Sequence, residues 1–262
     1  MKMILIGERI NAGFKDVKEA IINKNGDVIK EWAVKQTKAK ADYLDVAIGT
    51  ASNTPEDLCW MIEQVQSVCD TKISIDINKP LLLKEAIKIC KKPPLVNSTT
   101  AIEEKMNEIL PIVAEYNASV IGLVMDEGGS PKTVDKRIEI AGKIIERTMD
   151  LGITPDRLFL DPIIMPVKFA QEQPKVVMQA VAQFVMFSDP PCHIVCGLSN
   201  AANGATQKKL INRILISMLI AHGMDAVILD VMDEDLVNSI LTAELIMNRS
   251  LYADSYVEAF HK

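Results

Sequence analysis

Apolar residues along this chain gather in short unbroken runs, and amphipathic stretches separate the runs from one end to the other. The runs at 3–10, 43–48, 73–76, 95–97, 119–125, 158–161, 193–198 and 226–231 have the length and content of strands buried on both faces. Between them the apolar positions recur at a spacing of three and four, as on one face of a helix. Leu58, Met61, Ile62, Val65 and Cys69 form one such stripe, and Leu83, Ala86, Ile87 and Cys90 a second. Met106, Ile109 and Val113 follow, then Val134, Ile138, Ala141, Ile145 and Met149. Later stripes are Leu210, Ile214, Met218 and Ile220, and Val237, Ile240, Leu241 and Leu245.

Start signals agree with this division. Thr54-Pro55-Glu56-Asp57 opens a helix with proline in its first turn, Asn78 and Pro80 stand before the next, and Thr100 with Glu103 has the spacing of a capping box. Short helical patterns also follow the first run, around 17–22 and 29–36, separated by the breaker Asn25-Gly26. A helix is expected from near Pro174 to Phe187, a loop over 199–206, and a last turn over 256–260. The count is eight strand-helix units, which predicts a closed (β/α)8 TIM barrel over 1–262 as a single domain. An open doubly wound sheet would carry Gly-x-Gly-x-x-Gly after its first strand, and the segment from Gly7 to Gly13 does not.

The polar residues that end the runs supply the candidate chemistry. Asp76, Asn97, Asp161 and Asn200 each stand where an apolar run stops. In a parallel barrel those ends share one mouth, where polar residues carry function. Helix capping is the competing role for such residues. Asn78 and Thr100 are nearer caps, however, and Pro162 keeps Asp161 extended. A carboxylate accepts two parallel N–H bonds, and an amide offers one donor and one acceptor. Together they suit the edge of a flat heterocycle such as a pterin or guanine. A sugar phosphate suits them less well, because no glycine-rich loop with a basic residue follows the last two strands.

Composition narrows the partners. A net charge of −6 with no basic run argues against nucleic acid or an anionic membrane as a partner. No run approaches a membrane span, and four apolar residues before Gly7 are too few for a signal peptide. Five cysteines without a Cys-x-x-Cys pair fit a reduced, cytoplasmic protein. The three histidines, at 193, 222 and 261, have no metal-ligand spacing, so no directly bound metal is expected. Met125, Met165, Met218, Met224 and Met232 read as core filler.

The ordered series Gly7-Glu-Arg-Ile-Asn11, Asn97-Ser-Thr99, Asp161-Pro162, Gly197-Leu-Ser-Asn200 and Leu210-Ile-Asn212 resembles the methyltetrahydrofolate:corrinoid protein methyltransferases over essentially the whole chain. The resemblance implies methyl transfer, in one-carbon metabolism, between N5 of tetrahydrofolate and the cobalt of a corrinoid. It places the pterin on Asp76, Asn97 and Asp161, with Gly197, Ser199 and Asn200 near N5, and gives Asn200 and Asp161 the catalytic roles. Glu8, Asn11, Asn203 and Lys208 fall at the rim. None of the histidines lies in the Asp-x-His-x-x-Gly motif of corrinoid modules, so cobalt is expected on a partner protein, approaching the loops after Met125, Ile164 and Asn200. A homodimer is also implied, with 241–247 as one candidate face.

Ala47, Thr100, the Asp126-Glu127 pair and Lys208 depart from the family pattern. They leave the partner's identity open and fit a system that removes methyl groups from methoxyaromatics or methylamines. A dihydropteroate-synthase-like enzyme and a pterin-binding protein without turnover are the competing readings. The former would need a basic residue near Ile228-Leu-Asp-Val-Met232, and none is there.

Overall fold

A computed structural model describes residues 2–250. The turn expected over 256–260 lies outside the described residues. Eight parallel strands alternate with helices in the order anticipated: β1 (Ile4–Asn11), α1 (Lys15–Ile22), α2 (Gly26–Lys38), β2 (Tyr43–Ala47), α3 (Pro55–Gln66), β3 (Lys72–Asp76), α4 (Pro80–Lys88) and β4 (Leu95–Thr100). The second half runs α5 (Glu103–Glu115), β5 (Ser119–Leu123), α6 (Val134–Asp150), β6 (Leu158–Asp161), α7 (Gln173–Phe184), β7 (His193–Ile194), α8 (Leu198–Ala201), α9 (Lys208–His222), β8 (Ala226–Leu229) and α10 (Glu234–Ile246). The sheet order is β7-β6-β5-β4-β3-β2-β1-β8, so each strand lies beside its sequence neighbour and β8 returns to β1. This is the (β/α)8 barrel.

Two apolar compartments hold it together. A large one lies between strands and helices, and a small one fills the barrel itself with Ile6, Tyr43, Leu95, Ile121, Phe159, Val195 and Ala226. Because side chains alternate along a strand, every second residue from these seven also faces inward. Two steps towards the carboxyl ends, Ile6, Tyr43, Leu95, Phe159 and Val195 give way to Glu8, Asp45, Asn97, Asp161 and Gly197. The barrel is therefore apolar at its base and polar at its mouth.

Closure is uneven. β7 is only two residues long and pairs with β6 through Phe159 and Leu160. Its backbone pairing with β8 is limited to a bridge between Gly197 and Ile228, a bond from the Ile228 N–H to the Cys196 carbonyl (2.9 Å) and a longer one from Asp225 to Ile194 (3.3 Å), supplemented by the Asp225 carboxyl, which accepts the Ile194 N–H (2.8 Å) and meets His193 (2.7 Å). The expected strand over 193–198 is shorter because Gly197 turns the chain into α8, where only a loop was anticipated.

Local expectations fail in three further places. Thr100 is the last residue of β4 and accepts the Ile102 N–H (3.3 Å); the N-cap of α5 is Ile102, so no capping box forms. Asn78 likewise does not cap α4, whose N-cap is Lys79. Helix α6 is rotated from its apolar stripe: it buries Arg137, Ile140, Ala141, Ile144 and Thr148, while Met149 is exposed.

Helix α9 buries Leu215, Ile216, Leu219 and Ile220, leaving Leu210, Ile214 and Met218 exposed. Met165 and Met232 are also exposed, so of the five methionines taken as filler only Met224 is fully buried. All five cysteines are free. Among the described residues no helix is long and apolar enough to cross a membrane, and no group of three histidine, cysteine or acidic side chains could hold a metal ion.

Candidate functional site at the barrel mouth

Strand register brings the predicted residues together. Ala47, Asp76 and Asn97 are successive partners across β2, β3 and β4, and Leu123 pairs with Asp161 across β5 and β6. Paired residues of parallel strands project to the same side, so Asp76 and Asn97 stand next to each other at the mouth. Asp161 is 8% exposed, and its carboxyl accepts the N–H of Ile163 (2.7 Å) and that of Gly197. The second contact ties the end of β6 to the start of α8, which carries Ser199 and Asn200. From Ser199 the hydroxyl donates to Glu8 (2.7 Å), linking α8 across to β1.

The rim residues divide by task. Asn11 uses its side-chain oxygen to accept the Gly13 N–H (2.7 Å), a turn-forming role. Asn203 and Lys208 are exposed beside α8 and at the first turn of α9. Asp126 is held by Lys136 (3.1 Å) and accepts the Gly128 N–H (2.9 Å), so it shapes the loop after β5.

One residue at the centre was not anticipated. Asp45 on β2 is 3% exposed; it accepts a bond from the Ser74 hydroxyl (2.5 Å) and another from the Asn97 amide nitrogen (3.2 Å). That second bond uses one of the two N–H groups of Asn97, turns the amide nitrogen towards Asp45 and leaves the carbonyl oxygen for the mouth. A carboxylate in the middle of the otherwise apolar Tyr43-Leu-Asp-Val-Ala47 is the signal that could have found it, since its parity matches inward-facing Tyr43.

The site is therefore an acceptor surface in an apolar barrel. Burial, reinforced by Asp76, pushes Asp45 up to about 7. Burial alone moves Asp76 to about 6, and burial opposed by the Ile163 and Gly197 N–H groups leaves Asp161 at about 6. Glu8 is raised by burial and by Asp230, against the Ser199 bond. Among the described residues no cationic side chain ion-pairs with any of these four. A planar ligand with several N–H donors would supply the missing partners.

Raised carboxyl groups make the ligand-free protein sensitive to pH in an unusual direction. In the unfolded chain Asp45, Asp76 and Asp161 titrate near 3.8, whereas the folded protein retains their protons to about 6 or 7. Through that window the folded state binds more protons, so stability falls as pH rises. The carboxyls lowered by surface partners, Asp16, Asp57, Asp126, Glu139 and Asp233, act only below about 4.5 and do not interfere. Melting followed by circular dichroism should therefore be higher at pH 5 than at pH 8, and Asp45→Asn should shrink the difference. Identical pH dependence in the variant would refute the placement of Asp45's proton.

Comparison with known proteins agrees with this geometry. The family model described as pterin binding enzyme matches residues 8–230. Over 263 aligned residues the chain is 31% identical to the methylcorrinoid:tetrahydrofolate methyltransferase of Eubacterium limosum, covering 99% of this chain and 97% of that one. It is 24% identical to the methionine synthase of Mycobacterium leprae over 86% of its own length but only 20% of that protein's. Among solved structures, dihydropteroate synthase of Yersinia pestis superposes with a TM-score of 0.68 at 15% identity, covering 94% of this chain and 93% of that one, a likeness of fold.

Proposed function

The chain belongs to the pterin binding enzyme family, and from that premise we propose that its acceptor-lined mouth holds tetrahydrofolate by the pterin ring. It is a methyltransferase, moving a methyl group between N5 of tetrahydrofolate and the cobalt of a corrinoid carried by a partner protein. The observation that carries this reading is the set of inward-facing acceptors Asp76, Asn97 and Asp161 at the mouth, with Asn200 on α8 across from Asp76 and Asn97, above a barrel base filled with apolar side chains. We assign all of 1–262 to one domain.

In this reading Asp161 accepts two parallel N–H bonds from the aminopyrimidine edge, with Asp76 and the Asn97 carbonyl taking further donors. When N5 accepts a methyl group its lone pair forms the new carbon–nitrogen bond and the carbon–cobalt electron pair stays on the metal. N5 then carries a proton that must leave, and in the reverse direction one must arrive. Asn200 has no titratable proton, so its amide oxygen stabilises N5–H while a carboxyl or water exchanges the proton. Glu8, bonded to the residue before Asn200, is a titratable group suited to that exchange. The protein's other contribution is alignment of N5, methyl and cobalt.

The partner is proposed to approach over the loops after β5 and β6 and over α8. A second contact is proposed on the outer wall. Leu210, Ile214 and Met218 of α9 form an exposed stripe, with Ile246 and Met247 exposed at the end of α10. Such a face suits a homodimer. Localisation is proposed as cytoplasmic, on the five free cysteines.

The experiment is anaerobic incubation with methylcobalamin and tetrahydrofolate, and separately with cob(I)alamin and methyltetrahydrofolate, following the cobalt spectrum. Transfer in either direction is expected. Pterin binding without transfer, to free corrinoid and to candidate corrinoid proteins alike, would overturn the enzyme reading.

A further inference from the structure

Arg137, in the first turn of α6, has no exposed surface. Among the described residues no carboxylate bonds it. Its guanidinium donates instead to the carbonyl of Pro162 (2.9 Å), more weakly to that of Ile163 (3.4 Å), and to the side-chain oxygen of Gln173 on α7 (3.1 Å). Gln173 is itself buried and anchored to the Lys132 carbonyl (3.3 Å). Burying a guanidinium without a counter-ion is costly, so an isolated stabilising role is a poor account of it. What it holds is more informative.

Pro162 and Ile163 are the two residues that follow Asp161. Ile163 is β-branched yet has φ of 62°, in the left-handed region that such side chains avoid. Its N–H is one of the two that donate to the Asp161 carboxyl. The strained turn is thus pinned from opposite sides. Asp161 takes its N–H, and Arg137 takes the carbonyls on either side of that N–H.

We propose that Arg137 is a positioning residue for Asp161, reaching from outside the barrel to fix the turn whose N–H orients the carboxyl towards the ligand. The inference rests on the reading of the mouth as a pterin site. It also accounts for the rotation of α6, whose inward face carries an arginine at the cost of exposing Met149. Asp161 and Arg137 then act as one unit through backbone atoms, without touching.

Three variants test this by calorimetric titration with tetrahydrofolate and by single-turnover methyl transfer. Wild-type protein is titrated first; failure there defeats the functional reading and leaves nothing for Arg137 to position. Given wild-type binding, Arg137→Met is expected to weaken affinity about ten-fold or more and to shift the acid midpoint of binding, because one of the carboxyl's two backbone donors is no longer held in place. Arg137→Lys should recover most of the affinity, since an ammonium still reaches carbonyls although it lacks the planar fork. Gln173→Met, which leaves the turn's own atoms in place, should show a smaller loss and decides the matter if Arg137→Met does not fold. Wild-type affinity and midpoint in folded Arg137→Met, or in Gln173→Met should that protein be needed, would overturn the proposal.

Discussion

Asp161→Asn is expected to weaken tetrahydrofolate binding about 100-fold while leaving the fold intact. The carboxyl is buried, accepts the Ile163 and Gly197 N–H groups, and retains acceptor positions towards the mouth. An asparagine oxygen can keep one of the backbone bonds, so the turn survives. Its amide nitrogen, however, is a donor facing the donors of an aminopyrimidine edge. A bond to a charged acceptor contributes about 1.5–3 kcal/mol, and a donor left facing a donor adds to the loss, which gives two orders of magnitude in Kd. Calorimetry measures the change, and the rate at saturating ligand should fall much less. Binding within three-fold of wild type would remove Asp161 from the edge-recognition role.

Asn200→Ala should behave in the opposite way. Asn200 is exposed in the first turn of α8, away from the floor formed by buried Asp45 and half-buried Asp76 and Asn97. Losing its amide removes the partner of N5–H but none of the pterin-edge contacts, so the single-turnover rate should drop about 100- to 1000-fold with little change in Kd. Rapid mixing with cob(I)alamin, watched by its absorbance, separates the two quantities. Equal losses in binding and rate would place Asn200 among the binding residues instead. Taken with the first experiment, this distinguishes recognition from turnover residue by residue.

The barrel, its strand order and four of the mouth residues can be read from the chain because the runs before Asp76, Asn97, Asp161 and Asn200 are largely apolar and each stops at a polar side chain. Periodicity is less informative where the polar residue lies inside the run. Asp45 has Leu44 and Val46 beside it and reads as an interruption; only the inward parity of Tyr43 identifies its direction, and that parity needs the register of the closed sheet. Arg137 fails for the converse reason. A stripe of Val134, Ile138 and Ile145 predicts the buried face of α6, but the buried arginine turns the helix towards carbonyls whose position depends on the next strand. On α9 two apolar stripes coexist, and sequence alone does not say which one meets the barrel. Thr100 and Asn78 have the residue types of caps without the geometry, because β4 extends past Asn97 and the chain enters α4 through Lys79.

The junction of β7 with β8 is the barrel's sparsest, and it lies at the base of the short helix that carries Asn200. By contrast, Asp76 and Asn97 sit where β2, β3 and β4 pair residue for residue, on the opposite side. A vise built this way has one fixed jaw and one compliant jaw. On the proposed reading, the fixed jaw holds the ring of the substrate unchanged through the reaction, while the compliant one follows N5 as it alternates between carrying hydrogen and carrying the larger methyl group. Stiffening that joint, for instance by lengthening β7, would favour one of the two cargo states at the expense of the other.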